Sequence, residues 1–210
     1  GKFKLGGKAF SQTLNTLVNE TPNITDAAYV KRVFNTIQNL IKNHQIVAGH
    51  DVASGGLITT LLELCFAEVD LGAELDLTAL SEKDSIKLLF SENSGIVFQS
   101  KDASIEAVLE EANIEFFNIG KVVEGDFLSI INHNEVFSLT VSRLRDVWSK
   151  TSLLLDARDK NRFNGIAKEC EAFEHSGVGS KFKNIVFGVH KEYYYWGGIN
   201  EFPIRMYHLY

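Results

Sequence analysis

Clustered basic residues, closely spaced cysteines and bilayer-length apolar runs are all missing from this sequence, and each absence removes a class of function. The 21 Lys and Arg residues form no patch, and 27 Asp and Glu residues bring the formal net charge to -6. A free-standing nucleic-acid binder carries a basic face, so no nucleic-acid partner is expected. A nucleotide ligand stays open, because backbone N–H groups hold phosphates without net basic charge. Cys65 and Cys170 are the only cysteines, with no CxxC and no histidine at ligand spacing. That usage fits reduced thiols in the cytoplasm and neither a disulfide framework nor a zinc site. The longest apolar run, residues 57–67, is interrupted by Glu63 and too short to cross a bilayer, so no membrane role is expected. No basic segment precedes an apolar one at the start, which argues against a signal peptide. The sequence opens at Gly1 and holds a single methionine, Met206, so it is expected to be a fragment of a longer polypeptide.

What is present suffices for one well-cored domain and an appendage: 210 residues, 45% of them hydrophobic. Apolar spacing predicts a helix over residues 8–19 and another from Thr25 or Asp26, as N-cap, to Lys42, with a stripe of Val30, Val33, Phe34, Ile37, Leu40 and Ile41. A short buried strand follows at residues 46–48, ending at His50-Asp51, then an apolar helix over residues 57–68. Alternation predicts a strand over residues 71–77. Further expected elements are helices at 84–90 and 103–112, strands at 96–98 and 114–119, and a hairpin of 127–131 and 135–139 around His133-Asn134. Residues 142–173 read as helical again. Helices alternating with hairpin-like strands predict an α/β fold of the α+β sandwich type, a mixed sheet packed by helices.

Two segments are expected: a domain over residues 1–175, and a linker with an aromatic tail over residues 176–210. Ser176-Gly177-Val178-Gly179-Ser180 is linker-like, and five of the six tyrosines lie beyond it. The tail reads either as sequence foreign to the domain or as a segment that docks on a neighbour; its lysines are too sparse for a base-stacking platform.

The stretch His50-Asp51-Val52-Ala53-Ser54-Gly55-Gly56-Leu57 carries the most chemistry. A polar cluster leaves a strand, passes two glycines and enters a helix. Glycine permits close backbone approach and positive φ, and a helix N-terminus offers N–H groups and partial positive charge to a phosphate. Asp51 is placed to hold a magnesium ion bridging phosphate oxygens, and Ser54 to donate to phosphate. The same residues serve equally as an N-cap and a tight turn, and the residues alone leave both readings open. Cys65 lies within an apolar helix and reads as a core thiol.

This loop resembles the His-Asp-x-Ser-Asp-Gly-Gly-Leu signature of the C-terminal domain of the aminoimidazole ribonucleotide synthase superfamily. Flanking segments are similar to those of the formylglycinamidine ribonucleotide synthase family: Leu5-Gly6-Gly7-Lys8-Ala9-Phe10, the helix Leu61-Leu62-Glu63-Leu64-Cys65-Phe66-Ala67, Leu89-Phe90-Ser91-Glu92 with Gly95 and Gln99, Ile119-Gly120-Lys121-Val122, and Leu144-Arg145-Asp146-Val147-Trp148 with Thr151-Ser152. Two departures stand out. The signature's Ser-Asp pair is Ala53-Ser54 here, which removes one carboxylate from the loop, and nothing after Ser176 resembles a glutamine amidotransferase domain.

The resemblance implies the second copy of such a domain in an ATP-dependent carbon–nitrogen ligase of purine biosynthesis. The full enzyme converts formylglycinamide ribonucleotide, ATP and glutamine-derived ammonia to the amidine, ADP and phosphate. It further implies ATP or ADP and Mg2+ as ligands, ATP-binding and glutaminase domains of the same enzyme as partners, and a cleft between paired domains. His50, Asp51, Ser54, Gly55 and Gly56 are then expected on its phosphate side, with Asp51 and Glu92 as metal ligands. The isolated chain is expected to be inactive and prone to self-association through uncovered apolar faces. Two rival readings remain: a small-molecule kinase or selenophosphate synthetase of the same superfamily, and a structural docking domain whose ligand loop is vestigial.

Overall fold

The computed structural model describes residues 3–6, 8–16, 23–67, 70–160 and 203–208. These form two compact units, one made of residues 1–141 and 192–210 and the other of residues 142–191.

In the first unit a short helix, α1 (Ala9–Thr13), precedes the long amphipathic α2 (Ala27–Lys42). Asp26 caps α2, its carboxylate accepting the Tyr29 N–H at 2.9 Å. Strand β1 (Ile46–Asp51), helix α3 (Gly56–Cys65) and strand β2 (Leu71–Asp76) follow. After a 3-10 turn come α4 (Ser85–Phe90), capped by Asp84, then β3 (Gly95–Ser100), α5 (Ser104–Glu111) and β4 (Phe117–Glu124). Strands β5 (Phe127–Asn132) and β6 (Glu135–Thr140) form the expected hairpin, and β7 (Pro203–His208) completes a seven-stranded sheet.

The sheet order is β1-β3-β7-β4-β2-β5-β6. All pairs are antiparallel except β2 with β5, so the sheet is mixed, as the alternation of elements predicts. One core cluster joins Val33, Ile37 and Leu40 of α2 to Ile46 of β1, Phe98 of β3, and Ile105 and Leu109 of α5. Each of these side chains is withdrawn from water, which stabilises the packed state by roughly 1.5–3 kcal/mol for a large aliphatic or aromatic residue.

Three expectations need correction. Phe34, placed in the buried stripe, is 59% exposed. A helix advances about 100° per residue, so Phe34 sits at the flank of the face defined by Val33, Ile37 and Leu40. The first helix stops at Thr13 and not near residue 19; Asn15 takes a positive φ of 51° and Leu14 is exposed, while Leu17 and Val18 lie outside the described residues. The strand expected at 114–119 begins at Phe117 and runs to Glu124. A bulge between Asn118 and Gly120, where Gly120 has φ +149°, shifts the burial of Ile119 and Val122 to a spacing of three. Strict alternation therefore misses the second half of this strand.

The described part of the second unit consists of helix α6 (Val141–Lys160), whose first residue, Val141, belongs to the first unit. Val147 and Trp148 on it are exposed. The remainder of the expected helical region, and the Ser176–Ser180 linker, lie outside the described residues.

Candidate functional site

Strand β1 delivers His50 and Asp51 to its end, where they pair with Val97 and Ile96 of β3. The chain leaves the sheet after Val52, whose N–H still donates to Gly95 O at 2.9 Å. Gly55 then adopts φ +90° as the N-cap of α3, and Gly56 φ +80°. L side chains rarely adopt either conformation, so both glycines are required by the backbone. Their surroundings differ. A Cβ at Gly55 would fall 2.2 Å from the Thr59 hydroxyl, a group that can rotate away. A Cβ at Gly56 would fall 2.7–2.8 Å from the backbone of Phe90, Leu89 and Ser91. The second glycine thus lets the start of α3 lie directly on the end of α4.

Glu92, just beyond α4, ties this junction together. Its Oε1 accepts the Gly55 N–H at 3.0 Å and the Ala9 N–H at 2.9 Å, while Oε2 lies 3.6 Å from Lys8 Nζ. Phe10 packs on Phe90 with 4.8 Å between ring centroids. Three segments far apart in sequence, residues 5–10, 50–57 and 89–92, therefore meet at one carboxylate that is 11% exposed. Ser91 is buried beside it, and its Oγ has no hydrogen-bond partner among the described residues.

A second constellation fixes His50. Its Nδ1 is 2.6 Å from Asp51 O, and its Nε2 is 3.1 Å from Glu63 Oε2 on α3. Both partners are acceptors, and a ring carrying both protons satisfies both. Burial lowers the affinity of the ring for its second proton. The hydrogen bond to Glu63, the bond to Asp51 O and the two nearby carboxylate charges oppose this, and the net effect raises the pKa above the ordinary 6.5. Thr60 Oγ1 also donates to Asp51 O at 3.1 Å, so α3 grips the end of β1 from two positions.

Of the residues singled out in the sequence, Gly55 and Glu92 are in direct contact, and His50 and Asp51 are linked through the backbone. The Asp51 carboxylate itself projects to solvent, 71% exposed, and Ser54 is exposed. The Asp51 carboxylate is a single oxygen donor of the kind magnesium takes, and its Oδ1 lies 3.6 Å from His50 Nδ1. Glu92 fits less well as a metal ligand, since its carboxylate oxygens are engaged by two N–H groups and approached by an ammonium. Among the described residues no three His, Cys, Asp or Glu side chains are grouped as a metal cage. Lys8 and Glu63 receive no role from the sequence alone. Both lie inside the motif-bearing segments, which is the signal that could have found them.

A separate shallow concavity of about 630 Å3 lies on β2, β4 and β5, lined by Glu74, Asp76, Asn118, Lys121 and Ser129 among others; it shares no residue with the glycine loop. No helix among the described residues is long and apolar enough to cross a membrane.

Relatives carry names that bear on this geometry. The chain is 35% identical over 163 residues to "Probable phosphoribosylformylglycinamidine synthase, chloroplastic/mitochondrial" of Arabidopsis thaliana, covering 74% of this chain and 11% of that protein. It is 37% identical over 160 residues to phosphoribosylformylglycinamidine synthase of Schizosaccharomyces pombe, covering 72% and 12%, and 30% identical over 163 residues to the Homo sapiens protein of that name, covering 74% and 12%. It thus spans only 11–12% of the length of these relatives. A solved structure of PurLQS from Thermotoga maritima is similar with a TM-score of 0.49 and 20% identity, covering 68% of this chain and 25% of that one. The family described as AIR synthase related protein, C-terminal domain, matches residues 3–132, a range that contains all three segments meeting at Glu92 and the His50–Glu63 pair, and the chain belongs to that family.

Proposed function

We propose that this chain is one domain of a phosphoribosylformylglycinamidine synthase, an ATP-dependent carbon–nitrogen ligase acting in purine biosynthesis in the cytoplasm. The substrates of the whole protein are then formylglycinamide ribonucleotide, ATP and glutamine-derived ammonia, and its partners are the ATP-binding and glutaminase domains of the same enzyme. The observation that carries this reading is the convergence of the three segments on the Gly55–Glu92 contact, supported by the names of the relatives.

In this reading the domain contributes the phosphate side of a cleft completed by another domain. The exposed Ser54 hydroxyl stands at the start of α3, where the helix dipole favours an anion. Asp51 would hold magnesium, which when bound would supply charge neutralisation at the phosphates. His50, clamped by Glu63, sets the direction in which the Asp51 backbone leaves β1. Glu92 and Lys8 hold the loop in the conformation that displays these groups. Such chemistry depends mainly on positioning and charge neutralisation, so the isolated domain is inactive.

A thermal-shift titration with formylglycinamide ribonucleotide, with and without Mg-ADP, tests the reading. A ligand bound only by the folded state adds about 2.7 kcal/mol at a hundredfold excess over its dissociation constant. A saturable rise in melting temperature that Asp51→Asn reduces is the expected result. Absence of any shift, together with unchanged turnover of the full-length enzyme carrying Asp51→Asn or Gly55→Ala, overturns it. That outcome favours a docking domain with a vestigial loop, a reading supported by the occupation of the Gly55 N–H by Glu92 and by Ala53-Ser54 in place of a carboxylate-bearing pair.

A further inference from the structure

Strand β7 stands apart from every other strand in how it reaches the sheet. Strands β3 and β4 are consecutive strands joined by α5, yet they are not neighbours; β7 lies between them, antiparallel to both. Five residues of β7 pair with β3, from His208 opposite Gly95 to Ile204 opposite Gln99. Four pair with β4, from Met206 opposite Phe117 to Pro203 opposite Lys121. Removing β7 would divide the sheet into β1-β3 and β4-β2-β5-β6, and would bare two strand edges at its centre. The flanking side chains Val97, Phe98, Ile119 and Val122 are among the most buried in the chain. Two bare edges beside such a core form a strong template for an added strand.

The filling strand comes from elsewhere. Residues 3–132 match the family, and β7 lies outside that range. It returns to the first unit after the whole of the second, residues 142–191. An identical strand on another molecule offers the groove the same backbone pairing, so a strand this remote in sequence from its neighbours is an element that two copies can exchange. Exchange of an identical element between copies is a low-cost route to a dimer.

We propose that the gap between β3 and β4 is a strand-acceptor groove, and that its occupant is interchangeable between β7 of the same chain and β7 of a second copy, giving a strand-exchanged dimer. The backbone hydrogen bonds made in the groove are the same in both cases. What differs is only which molecule supplies residues 203–208.

The test uses the whole chain. Met206→Pro removes an N–H from a strand paired on both sides, so this variant keeps the groove and spoils its own strand. It should melt several degrees below the wild type. A synthetic peptide of residues 201–210 should restore the loss saturably, and the same peptide carrying Met206→Pro should not. The wild type refolded at high concentration should contain a dimer by light scattering, suppressed by the peptide and absent from Met206→Pro. An unchanged melting temperature in the variant, or a lowered one that the peptide leaves where it is, overturns the proposal. If Met206→Pro does not fold, wild-type refolding decides: a concentration-dependent dimer blocked by the peptide supports the groove, and a monomer at every concentration or a dimer indifferent to the peptide refutes it.

Discussion

Glu92 accepts the backbone N–H of Gly55 at 3.0 Å, so a carboxylate from the end of α4 holds the first turn of α3. The same oxygen accepts from Ala9, which makes Glu92 the common anchor of the loop and of α1. Removing the acceptor strands these N–H groups beside Lys8. Glu92→Ala should therefore destabilise the chain by about 1–3 kcal/mol, the usual cost of an unsatisfied buried donor. Glu92→Gln retains an oxygen acceptor and should lose less. Urea unfolding of the two variants checks the ranking, and equal losses would show that the charge, not the acceptor, matters.

The His50–Glu63 pair should make stability depend on pH. The folded pKa of His50 lies above the unfolded value of 6.5. Its contribution is then fully present below 6.5 and is lost as pH rises through the folded value. Glu63→Gln removes the charge that holds the second proton. The stability gap between wild type and Glu63→Gln should be widest near about pH 5.5, where His50 is protonated, and should narrow as pH rises above 6.5 through the folded value. Denaturant midpoints across that range measure it; a gap that widens with pH contradicts the assignment.

These two contacts also mark the limit of what local sequence pattern reveals. The strand ending at His50-Asp51, the cap at Asp26 and the hairpin around His133 follow from short-range rules of periodicity and turn chemistry, and the structure has all three. The glycine loop is visible for the same reason. The role of Glu92 is not, because its partners, Ala9 and Gly55, lie 83 and 37 residues away. Phe34 is misplaced by periodicity because a helical stripe has a flank as well as a centre, and β4 is clipped because its bulge at Gly120 breaks the period of two. The position of β7 depends wholly on long-range pairing, to which six residues from Pro203 to His208 carry no local clue.

The two loop glycines should separate on substitution. Gly56→Ala places its Cβ against three backbone atoms of residues 89–91, which cannot yield without moving α4. Gly55→Ala meets only the Thr59 side chain, though it too must adopt a positive φ. Strain at positive φ costs on the order of 1–3 kcal/mol at either site, and the backbone clash adds to it at Gly56 alone. Gly56→Ala should be the less stable variant by thermal melting. Because the Thr59 hydroxyl can rotate away, adding Thr59→Ala to Gly55→Ala should recover little, leaving the positive-φ strain as most of the Gly55 penalty.

Asp51 offers the cleanest separation of binding from folding. Its carboxylate is 71% exposed, so Asp51→Asn should change unfolding free energy by no more than about 0.5 kcal/mol. The hydrogen bonds of the residue run through its backbone oxygen, which His50 and Thr60 still reach after substitution; its carboxylate makes only a solvent-exposed ion pair with His50 Nδ1 at 3.6 Å. Any loss of Mg-ADP-dependent stabilisation in the variant therefore reports the carboxylate acting on the ligand. The expected pattern is an unchanged melting temperature without ligand and a several-fold weaker response to Mg-ADP, with the response to metal-free ADP affected less. If the Asp51→Asn protein melts early without ligand, the side chain belongs to the fold, and an unaltered Mg-ADP titration would remove magnesium from this loop.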